Sequence, residues 1–337
     1  MKRGESGLSL IVGVDKPSGM SSHDVVNRAR RIFGERRVGH TGTLDPFASG
    51  VLCLCVGPAT RLDAYMVGHD KHYRVRIAFG VGTDTDDCDG APVKSGEVPA
   101  RALDADWARG VLARFLGPQK QLPPAYSAIK VQGVKACDAA RRGTIIDLKP
   151  RDVEVFSLDL AAIEPGEGDI GAYWEVDAHV SKGTYIRALA RDIGIAVGCP
   201  AHVAALRRTR AGLLRLEDCV TLDTLERMGS DAALDPVTLL GLRFAYLDEQ
   251  GKRLVSNGGA LPGSAVELCE KRRASAAAEL CACTAGVKTS PRAPQDGEIV
   301  SIIADNRLVA LYEFEAARNR YKARCVFQTG VRRGADI

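Results

Sequence analysis

The chain has 337 residues, 45% of them apolar, and carries 46 Lys and Arg against 42 Asp and Glu, for a formal net charge of +4. That length suggests about two domains with a sizeable core, and so mild a charge does not by itself select nucleic acid as a partner. No apolar run reaches transmembrane length, and the short polar stretch from Met1 to Ser9 predicts no signal peptide, so the expected location is the cytoplasm.

Leu8 to Val14 reads as a first strand, and Asp15-Lys16-Pro17-Ser18-Gly19 as a turn. Lys16 beside that turn is a candidate phosphate contact or a solvent-exposed side chain. Ser21 or Ser22 caps a helix whose apolar face is Val25, Val26, Ala29, Ile32 and Phe33 and which stops at Gly34. Its other face begins an arginine cluster: Arg28, Arg30, Arg31, Arg36 and Arg37. A second cluster, Arg207, Arg208, Arg210 and Arg215, comes later, and together they fit either a polyanion partner or solvated faces.

Arg36 to Gly50 is rich in glycine and small hydroxyl residues and reads as a tight loop, feeding an apolar strand from Val51 to Val56. His40 and Asp45 therefore sit on a loop carried by a rigid base, a usual arrangement for chemistry. No Lys-Ser or Lys-Thr follows the glycines, which argues against a phosphate-binding P-loop. His40 and Asp45 alone are weak metal ligands, since no zinc-like spacing completes them. A lone catalytic carboxylate at Asp45, or a plain turn at Asp45-Pro46, remain as readings.

Ala59 to Met66 reads as a short helix. From His72 to Phe79 the residues alternate, with Tyr73, Val75, Ile77 and Phe79 on one face and His72, Arg74 and Arg76 on the other. Asp84, Asp86, Asp87 and Asp89 form an acidic loop that lacks the terminal Glu of a calcium loop; Asp87 is expected to hold neighbouring backbone or an active-site partner. Ala102 to Leu116 reads as a helix, and Gly117 to Gly143 as loop-rich and basic. Val153–Ile163 and Tyr173–Val180 predict a hairpin. Lys182-Gly183-Thr184 opens a helix carrying Ile186, Leu189, Ala190, Ile193 and Val197, with Arg187 in its first turn. A cation there is unfavourable for the helix dipole and calls for an anionic partner, with Asp45 the natural candidate. His202 to Arg210 is expected to be another short helix, with Leu206 as an apolar wall.

Beyond Asp248 the composition shifts. Ala274 to Ala278 and Thr284 to Gln295 read as loop or linker, Glu298–Ile303 and Leu308–Tyr312 as strand–turn–strand, and Cys325–Phe327 as a further strand. No internal repeat is visible. The ten cysteines include no Cys-x-x-Cys; Cys53 and Cys55 alternate as small hydrophobes in their strand, and Cys269, Cys281 and Cys283 read as structural, with no zinc-binding role.

Seven segments in order carry a resemblance: Asp15-Lys16-Pro17-Ser18-Gly19-Met20-Ser21-Ser22, Gly39-His40-Thr41-Gly42-Thr43-Leu44-Asp45-Pro46, Lys71-His72-Tyr73-Arg74-Val75, Thr83 to Gly90, Pro123 to Lys130, Ser181 to Arg187, and Leu206 to Arg210. Over Leu10 to Val220 the chain resembles the bacterial tRNA pseudouridine synthase B (TruB) family. The resemblance implies an α+β pseudouridine-synthase fold, with a mixed, mainly antiparallel sheet flanked by helices and loops, and a small PUA-like β-barrel at the C-terminal end. The expected division is a catalytic domain at 1–247, with an RNA-clamping insertion at about 117–150, and an RNA-binding domain at 248–337 with an irregular stretch at about 264–296.

It further implies isomerisation of the T-loop uridine at standard tRNA position 55, by base flipping, with no cofactor and no metal. Asp45 would be the essential carboxylate, Arg187 its orienting charge, and Tyr73 the ring stacked on the uracil. Tyr185 and Leu206 would line the pocket, His40 would fill the vacated base stack, and Lys16, Asp87 and Lys130 would complete the substrate-binding set. The implied partner is the T-arm of tRNA, with no membrane and no obligate protein partner, the enzyme acting as a monomer. Two rival readings are an RNA-binding or RNA-folding protein without catalysis, and a metal-dependent RNA hydrolase built on His40, Asp45 and the Asp84–Asp89 loop.

Overall fold

The computed structural model describes residues 6–131, 133–144, 146–271, 287–290 and 292–336. β1 (Leu10–Lys16) is almost wholly buried. Ser21 then caps α1 (Ser22–Phe33): its side chain accepts from the Asp24 N–H, Asp24 answers onto the Ser21 backbone, and Gly34 ends the helix at φ 59°. β2 (Val38–His40) and β3 (Ser49–Val56) flank the glycine-rich loop. After a 3-10 turn at Gly57–Leu62 comes α2 (Asp63–Met66), then β4 (Lys71–Phe79). β5 (Val81–Thr83) and β6 (Pro92–Ser95) pair around the acidic loop.

The expected helix over Ala102–Leu116 is α3 (Ala105–Ala113), started late because Asp104 caps it by accepting from the Asp106 and Trp107 N–H groups. The basic stretch after it is more structured than a loop. It holds β7 (Gly117–Gln121), a small hairpin of β8 (Lys130–Val131) and β9 (Val134–Lys135), and α4 (Ala136–Ala140). The predicted hairpin forms as β10 (Arg151–Pro165) and β11 (Ala172–Val180), and α5 (Ile186–Val197) follows as expected.

Residues 202–210, expected to be helical, form a strand instead, β12 (Ala201–Ala211). Ala, Leu and Arg favour helix locally, and the period-2 pattern is broken by a bulge between Val203 and Ala205. Tertiary pairing overrides both: β12 lies between β3 and β4 in the middle of the sheet, parallel to one and antiparallel to the other. Gly50 makes this possible. At φ 102° it brings β3 so close to β12 that a Cβ would sit 2.2 Å from the Arg208 carbonyl oxygen.

With β13 (Leu214–Arg215), the first sheet has nine strands in the order β1-β3-β12-β4-β11-β10-β7, with β2 on β3 and β13 on β12. Its two faces are covered differently. Val75, Ile77, Trp174 and Val176 pack with α3 and α5 on one face, while Leu52, Leu54 and Val56 pack with α1 and α6 (Leu222–Met228). Val51, Cys53 and Cys55 point the other way, into a core that also holds Leu239, Leu240, Leu308, Leu311 and Phe327. Leu239 and Leu240 come from α7 (Pro236–Leu240).

That second core joins the first sheet to a second one. β14 (Phe244–Tyr246) leads through α8 (Glu249–Ser256) to β15 (Leu261–Pro262), β16 (Cys269–Lys271), β17 (Val287–Thr289), β18 (Ile299–Ala304), β19 (Arg307–Glu315) and β20 (Arg320–Arg332). These seven strands run in the order β15-β20-β19-β18-β14-β16-β17, so the expected strand–turn–strand is β18–β19 and the strand at Cys325 belongs to β20. The expected linker at Ala274–Ala278, and Cys281 and Cys283, lie outside the described residues. Among those residues no helix is long and apolar enough to cross a membrane.

Candidate active site

The glycine-rich loop is the tight turn that its composition predicts. It is held by side chains that donate to its backbone. Arg208, 2% exposed, donates to the carbonyls of Val51 (2.7 Å), Gly42 (3.0 Å) and Thr43 (3.4 Å). Ser22 Oγ both accepts from the Leu44 N–H (2.8 Å) and donates to the Leu44 carbonyl (2.9 Å). Ser18 donates to the Phe47 carbonyl at 2.7 Å, and the Gly19 N–H to the Pro46 carbonyl at 2.8 Å. Irregular backbone has to find partners outside a ladder, and these donors supply them.

Lys16 belongs to the same clamp, which corrects its reading as a phosphate contact or exposed side chain. It is fully buried, and its ammonium donates to the carbonyls of Met20 (2.6 Å), Pro17 (2.9 Å) and Pro46 (3.2 Å). Burial lowers its pKa to about 8, against the opposing pull of Asp45. The physical reason is its place at the end of β1, whose inward face leaves the side chain nowhere else to go than under the loop.

Asp45 stands at the head of the clamped loop. Arg187, one residue into α5 and 5% exposed, forms an ion pair with it, its Nε 3.0 Å from Oδ2, and Nη2 donates to Oδ1 at 3.3 Å. The partner expected for Arg187 is thus in place. The guanidinium also donates through Nη1 to Asp87 Oδ2 (3.2 Å) and the Thr85 carbonyl (2.9 Å), and through Nη2 to the Tyr126 carbonyl (2.9 Å). One buried cation therefore gathers the glycine-rich loop, the acidic loop and the stretch after β7. Asp87 is 4% exposed and is itself fixed by Thr85 Oγ1 (2.6 Å) and the Asp89 N–H (3.1 Å). It holds both backbone and an active-site partner.

Two carboxylates sharing one guanidinium change the expected charge balance. Burial pushes the Asp45 carboxyl above its ordinary range; Arg187 pulls it down, and the negative charge of Asp87 pushes it up again. The net direction is upward, where pairing alone would have lowered it. Arg191, one turn further along α5, repeats the tie on a smaller scale, donating to Asp86 Oδ2 (3.1 Å) and the Leu122 carbonyl (2.9 Å). Asp86 stands at φ 60°, uncommon outside glycine.

Tyr73 lies on β4, half-buried, against the core that includes Leu44, Phe47 and Leu206. Leu206 is 7% exposed, opposite Val75 on β12. Tyr185 caps α5, its backbone tied to Gln121 by reciprocal hydrogen bonds of 2.8 and 3.1 Å. His40 ends β2; burial first, and the charge of Arg208 second, lower its pKa, and its Nδ1 is buried without a hydrogen-bond partner. Lys130 is the first residue of β8.

The arginine clusters are used largely inside the molecule. Arg28 pairs with Asp223 and Glu226, Arg207 with Asp15, and Arg215 with Glu217, while Arg208 is the loop clamp. Arg31 and Arg36 are exposed. The rival metal site does not assemble: among the described residues, His40, Asp45 and the acidic loop bring no three ligand atoms together. What sequence reading missed was the clamp. Its signal was present in Ser18, Ser22 and Arg208, but donors to backbone leave no periodicity.

A half-buried aspartate on a clamped loop is thus paired with a buried arginine of α5, and the mixed sheet that carries them also holds the half-buried Tyr73. Residues 30–186 match the family described as TruB family pseudouridylate synthase (N terminal domain), and residues 187–240 the tRNA pseudouridylate synthase B C-terminal domain. A tRNA pseudouridine synthase B of Deinococcus radiodurans is 41% identical over 273 residues, covering 72% of this chain and 88% of its own. One from Mycobacterium tuberculosis is 39% identical over 311 residues, covering 92% and 93%. The chain belongs to the TruB family of pseudouridylate synthases. Among solved structures, a Cbf5-Nop10-Gar1 complex matches with a TM-score of 0.66 at 23% identity, over 97% of this chain and 86% of the other. An H/ACA RNP bound to a substrate RNA containing 2'-deoxyuridine matches at 0.65 and 22%, over 94% and 84%. These two share the fold.

Proposed function

We propose that this chain converts the T-loop uridine at position 55 of tRNA to pseudouridine, with Asp45 as the essential carboxylate. The observation that carries this reading is the ion pair of Arg187 with Asp45, at 3.0 and 3.3 Å, beneath a loop fixed by Lys16, Ser22 and Arg208. In the isomerisation the C1′–N1 bond breaks, uracil turns in the pocket, C5 bonds to C1′, C5 loses its proton and N1 gains one. Atoms and electrons balance without a redox partner.

Asp45 acts on the ribose as an anion, by attack at C1′ or by proton removal at C2′. Arg187 orients the carboxylate and opposes the rise in its pKa that burial brings. Tyr73 stacks on the flipped uracil and takes part in the final proton removal from C5. Flipping costs on the order of a few kcal/mol, and stacking on an aromatic ring returns roughly 1–3 kcal/mol. Tyr185 and Leu206 line the pocket, His40 fills the vacated stack, and Lys130 completes the substrate-binding set, while Asp87, buried and fully paired, acts by holding Arg187 and contacts no substrate. Residues 1–247 carry the reaction, 117–150 clamp the RNA, and 248–337 add RNA contacts through a PUA-like unit, in a monomer working in the cytoplasm.

The test is chemical mapping of pseudouridine in two tRNA transcripts, one unmodified and one carrying U55→C. Pseudouridine at position 55 of the first alone supports the reading. Pseudouridine elsewhere, or none, overturns the assignment of the site.

A further inference from the structure

On the outer face of the first sheet, opposite Tyr73, three potential ligands meet. Asp70, the residue just before β4, and His72, the second residue of β4, are two positions apart, which sets both toward one face. His179 is the direct cross-strand partner of His72 on β11. One ligand atom from each of the three side chains lies within 4.8 Å of the others. The two imidazoles are stacked at 3.9 Å with 11° between their planes, and His179 Nε2 hydrogen-bonds to Asp70 Oδ2; ring nitrogens bind a metal in the ring plane, so a shared ion replaces that hydrogen bond and turns the rings out of the stack.

The support around this group is rigid. Both histidines stand in paired strands, Phe156 of β10 packs on the His179 ring at 4.6 Å, and the Asp70 carbonyl accepts from the Gly212 N–H at 2.9 Å. The nearby cations are directed to backbone: Lys71 to the carbonyls of Val67 and His69, Arg210 to the carbonyl of Gly212. The rest of this face is built differently. Asp177 pairs with Arg74, and Glu164 and Glu175 pair with Arg76. On the Asp70 rung, imidazoles take the place of the arginines. Side-chain exposures of 41% for Asp70 and 27% for His179 leave room for an ion and water.

We propose that Asp70, His72 and His179 form a structural site for one divalent transition-metal ion, with Zn²⁺ as occupant and water completing a tetrahedral set. Two imidazoles and one carboxylate suit that ion. The ion fastens β4 to β11 directly behind Tyr73 and takes no part in the chemistry at Asp45. This site is independent of the function proposed above.

The test uses the full, untagged chain, stripped by chelator and dialysed. Zn²⁺ is titrated by calorimetry and thermal melting, and Co²⁺ is followed by its visible spectrum. The expected result is one equivalent bound, a Tm that rises and saturates with it, and a Co²⁺ spectrum without sulfur charge transfer. His72→Gln and His179→Gln should each weaken binding by about tenfold or more. No binding to the wild-type chain overturns the proposal, as does a sulfur charge-transfer band, which would put the metal on cysteines. Unchanged affinity in either folded variant overturns it as well.

Discussion

The glycine-rich loop at 41–48 and the β18–β19–β20 part of the second sheet are held in opposite ways. The loop has little regular hydrogen bonding of its own. Its carbonyls are satisfied by Lys16, Ser18, Ser22 and Arg208, and its carboxylate by Arg187. The second sheet satisfies its backbone by ladder, and its inner face buries Val300, Ile302, Ala310, Tyr312 and Tyr321. Chemistry needs a carboxylate on backbone that turns sharply, and such backbone can be fixed only by directed polar donors. A sheet needs only matching apolar faces. Damage to the first should appear in activity, and damage to the second in stability.

Asp45→Asn should separate the two most widely. Activity should fall by about 10²–10⁴-fold, the range for a positioned acid–base group. Stability should not fall. The folded state raises the Asp45 pKa, so its ionised form costs stability at neutral pH and the cost disappears as acid protonates it. Thermal melts should show the variant equal to or above wild type near neutral pH, with the gap closing at acid pH. Arg187→Met should harm both properties, because Asp45 and Asp87 lose a shared buried cation. The expected cost is about 3–5 kcal/mol by urea unfolding, with a fall in kcat.

Ile302→Ala should be the converse of Asp45→Asn. Ile302 is fully buried in the second sheet, so about 2–5 kcal/mol should be lost while kcat at permissive temperature is kept. A large fall in kcat would break the comparison. Lys16→Met should cost about 1–3 kcal/mol by leaving carbonyls without their donor. It also carries a pH signature. With a folded pKa of about 8 against the ordinary 10.5, the unfolded chain binds more protons between those values, so wild-type stability rises with pH across that window. Lys71 contributes in the same direction, and the difference in slope between wild type and variant isolates Lys16. Tyr312→Phe removes one hydrogen bond to the Gly259 carbonyl and should cost about 1 kcal/mol in denaturant titrations, with no change in kcat.

The contrast also explains what was legible beforehand. β4, β10 and β11 read directly from alternation, α1 from apolar spacing and its glycine stop, and α5 from apolar spacing. β12 did not, because its bulge hides the period and its neighbours are distant in sequence. Asp45 and Arg187 stood out through motif resemblance, and geometry joined them. Lys16 and Arg208 read as surface cations, since composition does not tell a solvated arginine from one that holds three carbonyls under a loop. The acidic loop was read correctly as a scaffold at Asp87, yet its effect on Asp45 needed the shared guanidinium to be seen.

The most direct measurement follows tritium released to water from unmodified tRNA transcript labelled at uracil C5, with wild type and Asp45→Asn side by side, chelator present, and RNA binding checked for both. The account predicts release by wild type alone while both proteins bind the RNA. Equal release by the two would contradict it and remove Asp45 from the centre of the site.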